Sequence, residues 1–253
     1  MKINIDQPCA LNEIGERTNQ EDSIYPPKGT ANTDNRFFIV CDGMGGHENG
    51  EVASKSVCDS FGDFLGSIKE EDFNRETFNR ALEHAYRELN SKDNPSISKK
   101  MGTTLTFLYL SHKGAFMAHI GDSRIYHLRG TGSTATILYK SQDHSLVNEL
   151  LLAGIITPDE AATHPKRNII TNVMQPNQKN PGQPTIVETD DVQANDYFFL
   201  CSDGTPEQLS DEKLIAVIAA NDDTESKMNV ILNICEGKTR DNFSAYLIRV
   251  AEI

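Results

Sequence analysis

An apolar segment that ends on a carboxylate and then enters a glycine turn occurs twice in this chain. The first copy, residues 36–47, reads RFFIVCDGMGGH, and the second, residues 197–204, reads YFFLCSDG. An aspartate at a strand end has little side-chain freedom, and the glycine after it lets the backbone approach a ligand closely. Asp-Gly is also a common turn pair, so one copy alone would indicate only a turn. Two copies favour strand ends that present Asp42 and Asp203 to a hard cation, which prefers oxygen ligands.

The composition favours one globular domain spanning residues 1–253. The chain is 38% hydrophobic and 24% charged, and no linker rich in Pro, Gly or Ser divides it. A formal net charge of −13 argues against partners such as nucleic acid or an anionic membrane, because both require basic patches. The longest apolar segments are too short to cross a bilayer, and the N-terminus lacks a basic, apolar signal sequence. We therefore expect a cytoplasmic protein, in which the five cysteines are reduced and mostly buried.

Apolar spacing predicts the order of the elements. Helices are predicted over residues 51–65, 145–153, 211–220 and 225–236. Another helix is predicted to begin near Asn74 or Glu76 and to carry an apolar face that reaches Leu89, and residues 157–160 supply the N-cap, first-turn proline and early acids of a short helix. Strands are predicted over residues 103–110, 114–120, 124–128, 136–139, 185–188, 197–201 and 243–250. The first four of these strands are separated by short turns, which predicts an antiparallel meander. Grouped strands and paired helices favour an α+β layered sandwich over a βαβ repeat.

Six acidic residues lie at the edges of apolar segments, in strand-end or turn contexts. They are Glu21, Asp22, Asp42, Asp122, Asp203 and Asp241. Each alone could bond its own turn backbone or pair with a nearby arginine. The chain has neither a Cys/His cluster of zinc spacing nor a phosphate-binding P-loop. All-oxygen ligation of Mg²⁺ or Mn²⁺ is therefore the natural expectation.

The order of these acids and the sequence motifs around them resemble those of the metal-dependent (PPM, type 2C) serine/threonine protein phosphatases in their bacterial form. The resemblance spans nearly the whole chain. Its pieces are the segments 17–23, 42–47 with Gly50 and 53–54, 102–104, 121–124 with Tyr126, 143–145, 164–165 with Asn168, 202–204 and 241–242. A single piece would be weak, whereas the ordered series is specific.

The resemblance implies a four-layer αββα sandwich: two antiparallel sheets flanked by helix pairs, with a flap subdomain at about residues 145–181. It also implies two core Mn²⁺ or Mg²⁺ ions in a channel at one edge. Asp42 would bridge the ions, Asp203 and Asp241 would complete one site, and Glu21 with the Gly43 carbonyl would serve the other. The remaining metal roles would be held by Asp22, which would bind the waters of the ions, and by Asp122, which would share a possible third ion with Asp203.

The implied activity is hydrolysis of phosphoserine and phosphothreonine in proteins, counteracting a serine/threonine kinase. A hydroxide that bridges the two metals would attack phosphorus, and Arg17 matches the arginine that grips the substrate phosphate. A bidentate guanidinium suits a phosphoryl group, and two close cations can lower the pKa of a bridging water. Phosphorylated proteins and a cognate kinase are therefore the expected partners.

This sequence departs from the family pattern beside the bridging aspartate. Eukaryotic relatives carry a histidine, a proposed general acid, where this chain has Met44. His47 is the nearest alternative acid, and it could equally support the turn. His144 and His164 are interpreted as structural or flap residues. Changes at 174–176 and 205–206 bear on substrate preference and flap position.

Two other functions stay open from the sequence. A non-catalytic sensor could keep the fold and bind a phosphoprotein without turnover, but such a protein would be expected to lose metal acids, and all six are present. A phosphatase for small metabolites is also compatible, because a metal centre recognises the phosphoryl group whatever carries it.

Overall fold

The computed structural model describes residues 3–45, 49–93, 100–131 and 133–253. The strands are Asn4–Ile5 (β1), Cys9–Glu13 (β2), Asp22–Tyr25 (β3), Phe37–Met44 (β4), Gly102–Thr103 (β5), Leu105–Ser111 (β6), Gly114–Ile120 (β7), Arg124–Thr131 (β8), Thr134–Lys140 (β9), Thr185–Thr189 (β10), Asp196–Cys201 (β11) and Phe243–Glu252 (β12). The helices are Asn49–Leu65 (α1), Arg75–Ser91 (α2), Leu146–Leu152 (α3), Pro158–Thr163 (α4), Asp211–Ala219 (α5) and Thr224–Cys235 (α6). Short 3₁₀ turns occupy Glu70–Asp72 and Thr205–Glu207.

The strands form two antiparallel sheets. Sheet I has the order β10-β7-β6-β4-β3, with β5 paired to the end of β4. Sheet II has the order β1-β12-β11-β8-β9, with β2 also paired to β12. The central strands β6, β7 and β11 are buried along their whole length, because each sheet is covered on both faces.

Three apolar clusters define four layers. Helices α1 and α2 pack on the outer face of sheet I, where Phe61 and Phe78 meet Phe107. The two sheets face each other through a middle cluster that includes Phe38 and Tyr246, whose ring centroids are 5.2 Å apart. A third cluster seats α5 and α6 on the outer face of sheet II. The predicted α+β fold with two antiparallel sheets is confirmed, and the layer order is αββα.

The prediction of a four-strand meander is wrong, because the chain changes sheets between its second and third members. β6 pairs with β7 in sheet I, whereas β8 pairs with β9 and β11 in sheet II. The short link between β7 and β8 is therefore a corner and not a hairpin. Turn residues alone cannot distinguish the two, since both need a glycine, and Gly121 has φ +102° here. The corner carries Asp122.

Other differences concern edges and ends. The short strands β1, β2 and β3 were not predicted, because each has few apolar residues and lies in a polar stretch of sequence. Helix α1 begins at Asn49, two residues before the predicted start, and its Val52 is exposed and not part of the core. Of the two residues predicted near the start of α2, Asn74 and Glu76, it is Asn74 that caps the helix, by accepting a hydrogen bond from Thr77 N.

The segment 145–181 contains α3, α4 and loops. Ser145 caps α3, and Thr157 and Glu160 form the reciprocal capping box of α4, with Pro158 in its first turn. No residue of α3 is buried. Two isolated bridges, Ser145 to Ile170 and Thr103 to Met174, tie the base of the segment to itself and to β5. The assignment of this segment as a flap, with the bounds given above, stays a prediction.

The five cysteines carry free thiols, and all except the half-buried Cys9 are buried. Within the described ranges, no helix combines the length and the apolar character that crossing a membrane would require.

Candidate metal centre

Asp22 and Asp42 lie directly opposite each other on the antiparallel strands β3 and β4. Facing carboxylates on neighbouring strands repel each other unless a cation or a proton intervenes. Asp22 is 4% exposed, and burial raises the pKa of its carboxyl to about 7, with the charges of Asp203 and Asp241 adding to the effect. Burial, and then the charge of Asp203, raises the pKa of Asp42 well above its ordinary value.

Sheet II brings the second pair of acids to the same place. Asp203 follows β11, Asp241 precedes β12, and these strands pair with each other. A Cβ on Gly204 would lie 2.1 Å from the carbonyl oxygen of Asn242, so only glycine lets the two loops approach this closely. The carboxyl of Asp42 lies close enough to that of Asp203 for the charge of Asp203 to raise its pKa, so acids from the two sheets adjoin each other. Although Asp203 is exposed as a residue, partial desolvation of its carboxyl and then the charge of Asp241 raise its pKa.

Glu21 and Gly43 meet at the first turn of α1. A Cβ built on Gly50 would lie 2.8 Å both from the carboxyl carbon of Glu21 and from the carbonyl oxygen of Gly43. The Gly43 amide also donates to the backbone carbonyl of Glu21 at 3.1 Å. These three positions therefore form one compact cradle of oxygen atoms, and the glycine at 50 is the residue that leaves room for it.

Asp122 lies on the corner between the sheets, and its Oδ1 atom is buried. Among the residues that the structure describes, this atom has no hydrogen-bond partner. Burial, followed by the charges of Asp203 and Asp143, raises the pKa of its carboxyl to about 7. A buried acceptor oxygen without a partner is costly, and a cation would satisfy it.

Arg17 borders the acids at the surface. Its Nη2 donates to Oδ2 of Asp241 at 2.6 Å, and its side chain is 57% exposed. The hydrogen bond to Asp241 raises the pKa of the guanidinium, which is thus always charged. The guanidinium is therefore exposed to solvent beside this cluster of acids.

The comparisons with known proteins agree with this geometry. A model of the family described as Protein phosphatase 2C matches residues 13–242. The chain belongs to the protein phosphatase 2C family. It is 31% identical over 247 residues to protein phosphatase PhpP of Streptococcus pneumoniae, covering 96% of each protein. The prediction of a phosphoprotein phosphatase is thereby confirmed at the level of the family.

Solved structures of phosphatases share the fold. The crystal structure of the Mycobacterium tuberculosis serine/threonine phosphatase PstP/Ppp has a TM-score of 0.81 and 27% identity, over 98% of this chain and 100% of that one. The catalytic domain of PstP in complex with two manganese ions has a TM-score of 0.79 and 26% identity, over 98% of this chain and 100% of that chain. In that protein the same fold holds two divalent cations.

Uncharged residues position the acids of this protein phosphatase 2C, and three of them were not assigned a role from the sequence. Ser202 Oγ donates to Oδ2 of Asp22 at 2.7 Å and accepts from Ser244 N at 2.9 Å. Asn242 Oδ1 accepts the Glu21 amide at 2.8 Å, and its Nδ2 donates to two carbonyls of the 14–19 loop. Thr104 Oγ1 accepts the Asp42 amide at 2.9 Å. The available signal was their position in sequence: Ser202 and Asn242 directly adjoin Asp203 and Asp241, and Thr104 directly precedes β6. The groups to which they bond are far away in sequence.

The Thr104 hydroxyl should matter for the metal site beyond its effect on stability. It also contacts Ser123 Oγ at 2.7 Å, so it links Asp42 to the corner that holds Asp122. We expect Thr104→Val to lower the free energy of unfolding by about 2 kcal/mol, because it leaves buried donors unpaired. We also expect it to weaken Mn²⁺ binding by about tenfold. Urea unfolding and calorimetric titration with Mn²⁺ measure the two effects.

Thr106→Val is the matched control for this variant. Thr106 is equally buried two residues further along the chain, in β6, and its Oγ1 accepts from the Val40 amide and donates to the Val40 carbonyl. This variant should lose similar stability but keep the Mn²⁺ affinity of the natural protein. Equal losses of affinity in both variants would contradict the positioning role of Thr104.

The donor set fits a divalent cation. Each candidate donor is an oxygen atom, which is the preference of Mg²⁺ and Mn²⁺, and the unpartnered Asp122 Oδ1 together with the raised carboxyl pKa values indicates missing positive charge. Across the described residues, however, no three His, Cys, Asp or Glu side chains already surround one point as an ion would require. The acids adjoin one another in pairs. His47, the candidate acid from the sequence, lies outside the described residues.

Proposed function

We propose that this chain hydrolyses phosphoserine and phosphothreonine in proteins and depends on Mn²⁺ or Mg²⁺. The observation that carries the proposal is that Asp42 from sheet I adjoins Asp203 from sheet II, beside Asp241, to which Arg17 donates a hydrogen bond. Acids from two sheets converge with raised pKa values, which is a property of functional sites. Membership in the protein phosphatase 2C family supports the same activity.

The proposed ligands follow the two sheets. Asp42, Asp203 and Asp241 would hold one ion, and Glu21 with the Gly43 carbonyl would hold the other together with Asp42. When bound, the two ions would supply positive charge and a shared hydroxide nucleophile, which is the mechanism that the family resemblance implies. Asp122 would serve a third ion with Asp203, a role that its unpartnered Oδ1 supports.

The chain's own residues bind and orient the substrate. The Arg17 guanidinium would donate two hydrogen bonds to the phosphate oxygens, because it is exposed and projects beside Asp241. Asp22 is held by the Ser202 hydroxyl at 2.7 Å, so its carboxylate would accept hydrogen bonds from water at a fixed position beside the other acids. Charge neutralisation by cations and Arg17 would provide most of the acceleration.

The biological role that follows is reversal of a serine/threonine kinase. A phosphate monoester in a protein is kinetically stable, so a kinase signal persists until an enzyme removes it. We infer phosphorylated proteins as substrates and a serine/threonine kinase as the opposing partner. The relative PhpP is named a protein phosphatase, and the relative PstP a serine/threonine protein phosphatase.

The direct test is hydrolysis by the Mn²⁺-loaded protein of p-nitrophenyl phosphate and of a phosphothreonine peptide. Release of phosphate from both is the expected result. Binding of the peptide in a calorimeter without release of phosphate would favour a sensor instead. Turnover of small phosphate esters with no activity on any of several phosphoproteins would favour a metabolite phosphatase.

Arg17→Ala should lower kcat/KM for the phosphothreonine peptide by about 10²-fold, because a charged donor to the transferred phosphoryl group is lost. Arg17→Lys should recover only part of this, since an ammonium cannot donate in the bidentate manner. Steady-state kinetics with saturating Mn²⁺ measures both variants.

Arg75→Ala provides the matched control. Arg75 is also 57% exposed and also forms a surface ion pair, with Glu188, whose side chain is 54% exposed. Neither residue is one of the candidate metal ligands. This variant should keep kcat/KM within about twofold, as is usual for surface pairs. An equal effect of the two alanine variants would show that Arg17 acts through general surface charge.

A further inference from the structure

His144 connects the Asp122 corner to the segment 145–181. Its Nδ1 accepts the amide of Gly121 at 3.1 Å, and its own amide donates to the Gly121 carbonyl at 2.9 Å. Gly121, which precedes Asp122, thus forms two hydrogen bonds with His144 through its backbone. On the other side, Ser123 is held by the Thr104 hydroxyl at 2.7 Å. The corner therefore has two separate anchors.

The same histidine holds the base of the flap. Its Nε2 contacts Oγ1 of Thr185 at the start of β10 at 2.9 Å, and its carbonyl accepts the Thr171 amide at 2.9 Å. Asn172 Nδ2 lies 3.1 Å from Nδ1 and also donates to the Gln183 carbonyl. His144, which directly precedes the flap, thus forms hydrogen bonds with residues 171–172 in the second half of the flap and with Thr185 at the start of β10.

The contacts define the proton position on the ring. The backbone N–H of Gly121 can only donate, and so can Asn172 Nδ2, so Nδ1 is unprotonated and Nε2 carries the hydrogen that Thr185 Oγ1 accepts. The ring also stacks on His119, with centroids 4.5 Å apart and an interplanar angle of 19°. Burial, and then the neighbouring His119, lowers the pKa of His144 to about 4, which keeps the ring neutral.

We propose that His144 is a positioning residue for Asp122: its Nδ1 fixes the corner, its Nε2 fixes the flap, and the two are therefore linked through one side chain. The proposal rests on the proposed function in taking Asp122 as a metal ligand. Its structural basis is the set of hydrogen bonds that the histidine forms with Gly121, Thr171, Asn172 and Thr185. Orientation of a ligand by a hydrogen-bonded neighbour is worth about 10- to 100-fold in metal affinity.

Two amide variants separate the two nitrogens of the ring. In His144→Asn the side-chain oxygen can replace Nδ1 but nothing reaches Thr185, and in His144→Gln the amide can replace Nε2 but not Nδ1. Mn²⁺ alone is titrated into the full chain in a calorimeter, with Asp122→Asn identifying the binding step that depends on Asp122. Limited trypsin digestion, read by mass spectrometry after the exposed residues Lys166 and Arg167, reports the flap.

We expect each variant to change one of the two readouts, Mn²⁺ affinity or flap cleavage, and to leave the other unchanged. His144→Asn should keep the affinity of the Asp122-dependent step within about threefold, but its flap should be cleaved faster and Mn²⁺ should no longer slow the cleavage. His144→Gln should weaken that step by about tenfold or more while its flap remains as resistant as that of the natural protein. A second pair leaves the histidine intact: Thr185→Val should reproduce the flap effect of His144→Asn, and Thr185→Ser should behave as the natural residue.

The proposal is overturned if the asparagine and glutamine variants change both readouts alike, or if the natural protein has no Mn²⁺ step that depends on Asp122. If the histidine variants do not fold, the Thr185 pair decides, and an unchanged flap in Thr185→Val overturns the link. Hydrolysis by the natural protein is measured in parallel. Hydrolysis with failure of these expected variant results refutes only the role of His144, whereas absence of hydrolysis refutes the proposed function.

Discussion

Replacing Asp42 with asparagine should lower kcat/KM for a phosphothreonine peptide by about 10³-fold or more, because one ligand shared by both proposed ions is lost. No other acid can replace it. Asp22 faces it across the strand pair and is bonded to Ser202, and Asp203 belongs to the other sheet. Steady-state kinetics over a range of Mn²⁺ concentrations should show that added metal does not restore the activity.

The same substitution should leave the fold intact. In the metal-free protein, burial and the charge of Asp203 disfavour ionisation of Asp42, so the neutral amide removes a repulsion. We expect the free energy of unfolding in a chelator at pH 7.5 to equal or exceed that of the natural protein. Urea unfolding measures it.

Asp59→Asn is the matched control for Asp42→Asn, because it changes the net charge by the same amount. Asp59 forms an exposed pair with Lys55 on α1, and its side chain is 56% exposed. This variant should change neither activity nor stability appreciably. Full activity in Asp42→Asn would remove Asp42 from the site, and loss of stability there would make any loss of activity uninformative about catalysis.

The stability of the protein should respond to pH in opposite directions with and without metal. In the folded, metal-free protein the carboxyl pKa values of Asp22 and Asp122 are raised to about 7. In the unfolded chain an aspartate titrates near about 4. Between these values the folded protein holds protons that the unfolded chain has released. The stabilisation is therefore complete below about pH 4 and is lost as the pH rises through about 7.

In a chelator, the free energy of unfolding should thus fall from pH 5 to pH 7.5, by a few kcal/mol if Asp22 alone is considered. With excess Mn²⁺ it should rise over the same range, because the ions bind ionised carboxylates and stabilise the folded state by mass action. Urea unfolding at both pH values under both conditions tests this. The double substitution Asp22→Asn and Asp122→Asn should flatten the curve in chelator, and an unchanged slope in that variant would assign the pH dependence to other groups.

Much of the fold followed from local sequence signals. The N-cap and first-turn proline of α4, at Thr157 and Pro158, and the apolar face of α2 are determined within a few residues, so the sequence predicts them closely. The sheet to which β8 belongs was not predictable in this way. Its assignment depends on its pairing with β11, some 70 residues later, and on a corner that resembles a hairpin turn in sequence.

The candidate site divides in the same manner. The order of the acids and their glycine neighbours identified Asp42, Asp203 and the others through the family resemblance. Their supports were not predictable, because Ser202 bonds an acid 180 residues away and Asn242 bonds Glu21 across 221 residues. The sequence does not show which distant group the hydroxyl or amide of such a residue will bond with in the folded protein.

The middle layer of the sandwich has a consequence for how this protein can vary. Asp42 comes from sheet I and Asp203 from sheet II. The spacing between them is therefore set by the side chains between the sheets, among them Phe38 and Tyr246. Interiors elsewhere tolerate substitutions that conserve volume. Here the thickness of the apolar core would also set the spacing of these acids, so its dimensions would constrain the proposed chemistry as well as the stability. Mn²⁺ titration of volume-changing variants in the middle and outer clusters would compare the two constraints directly.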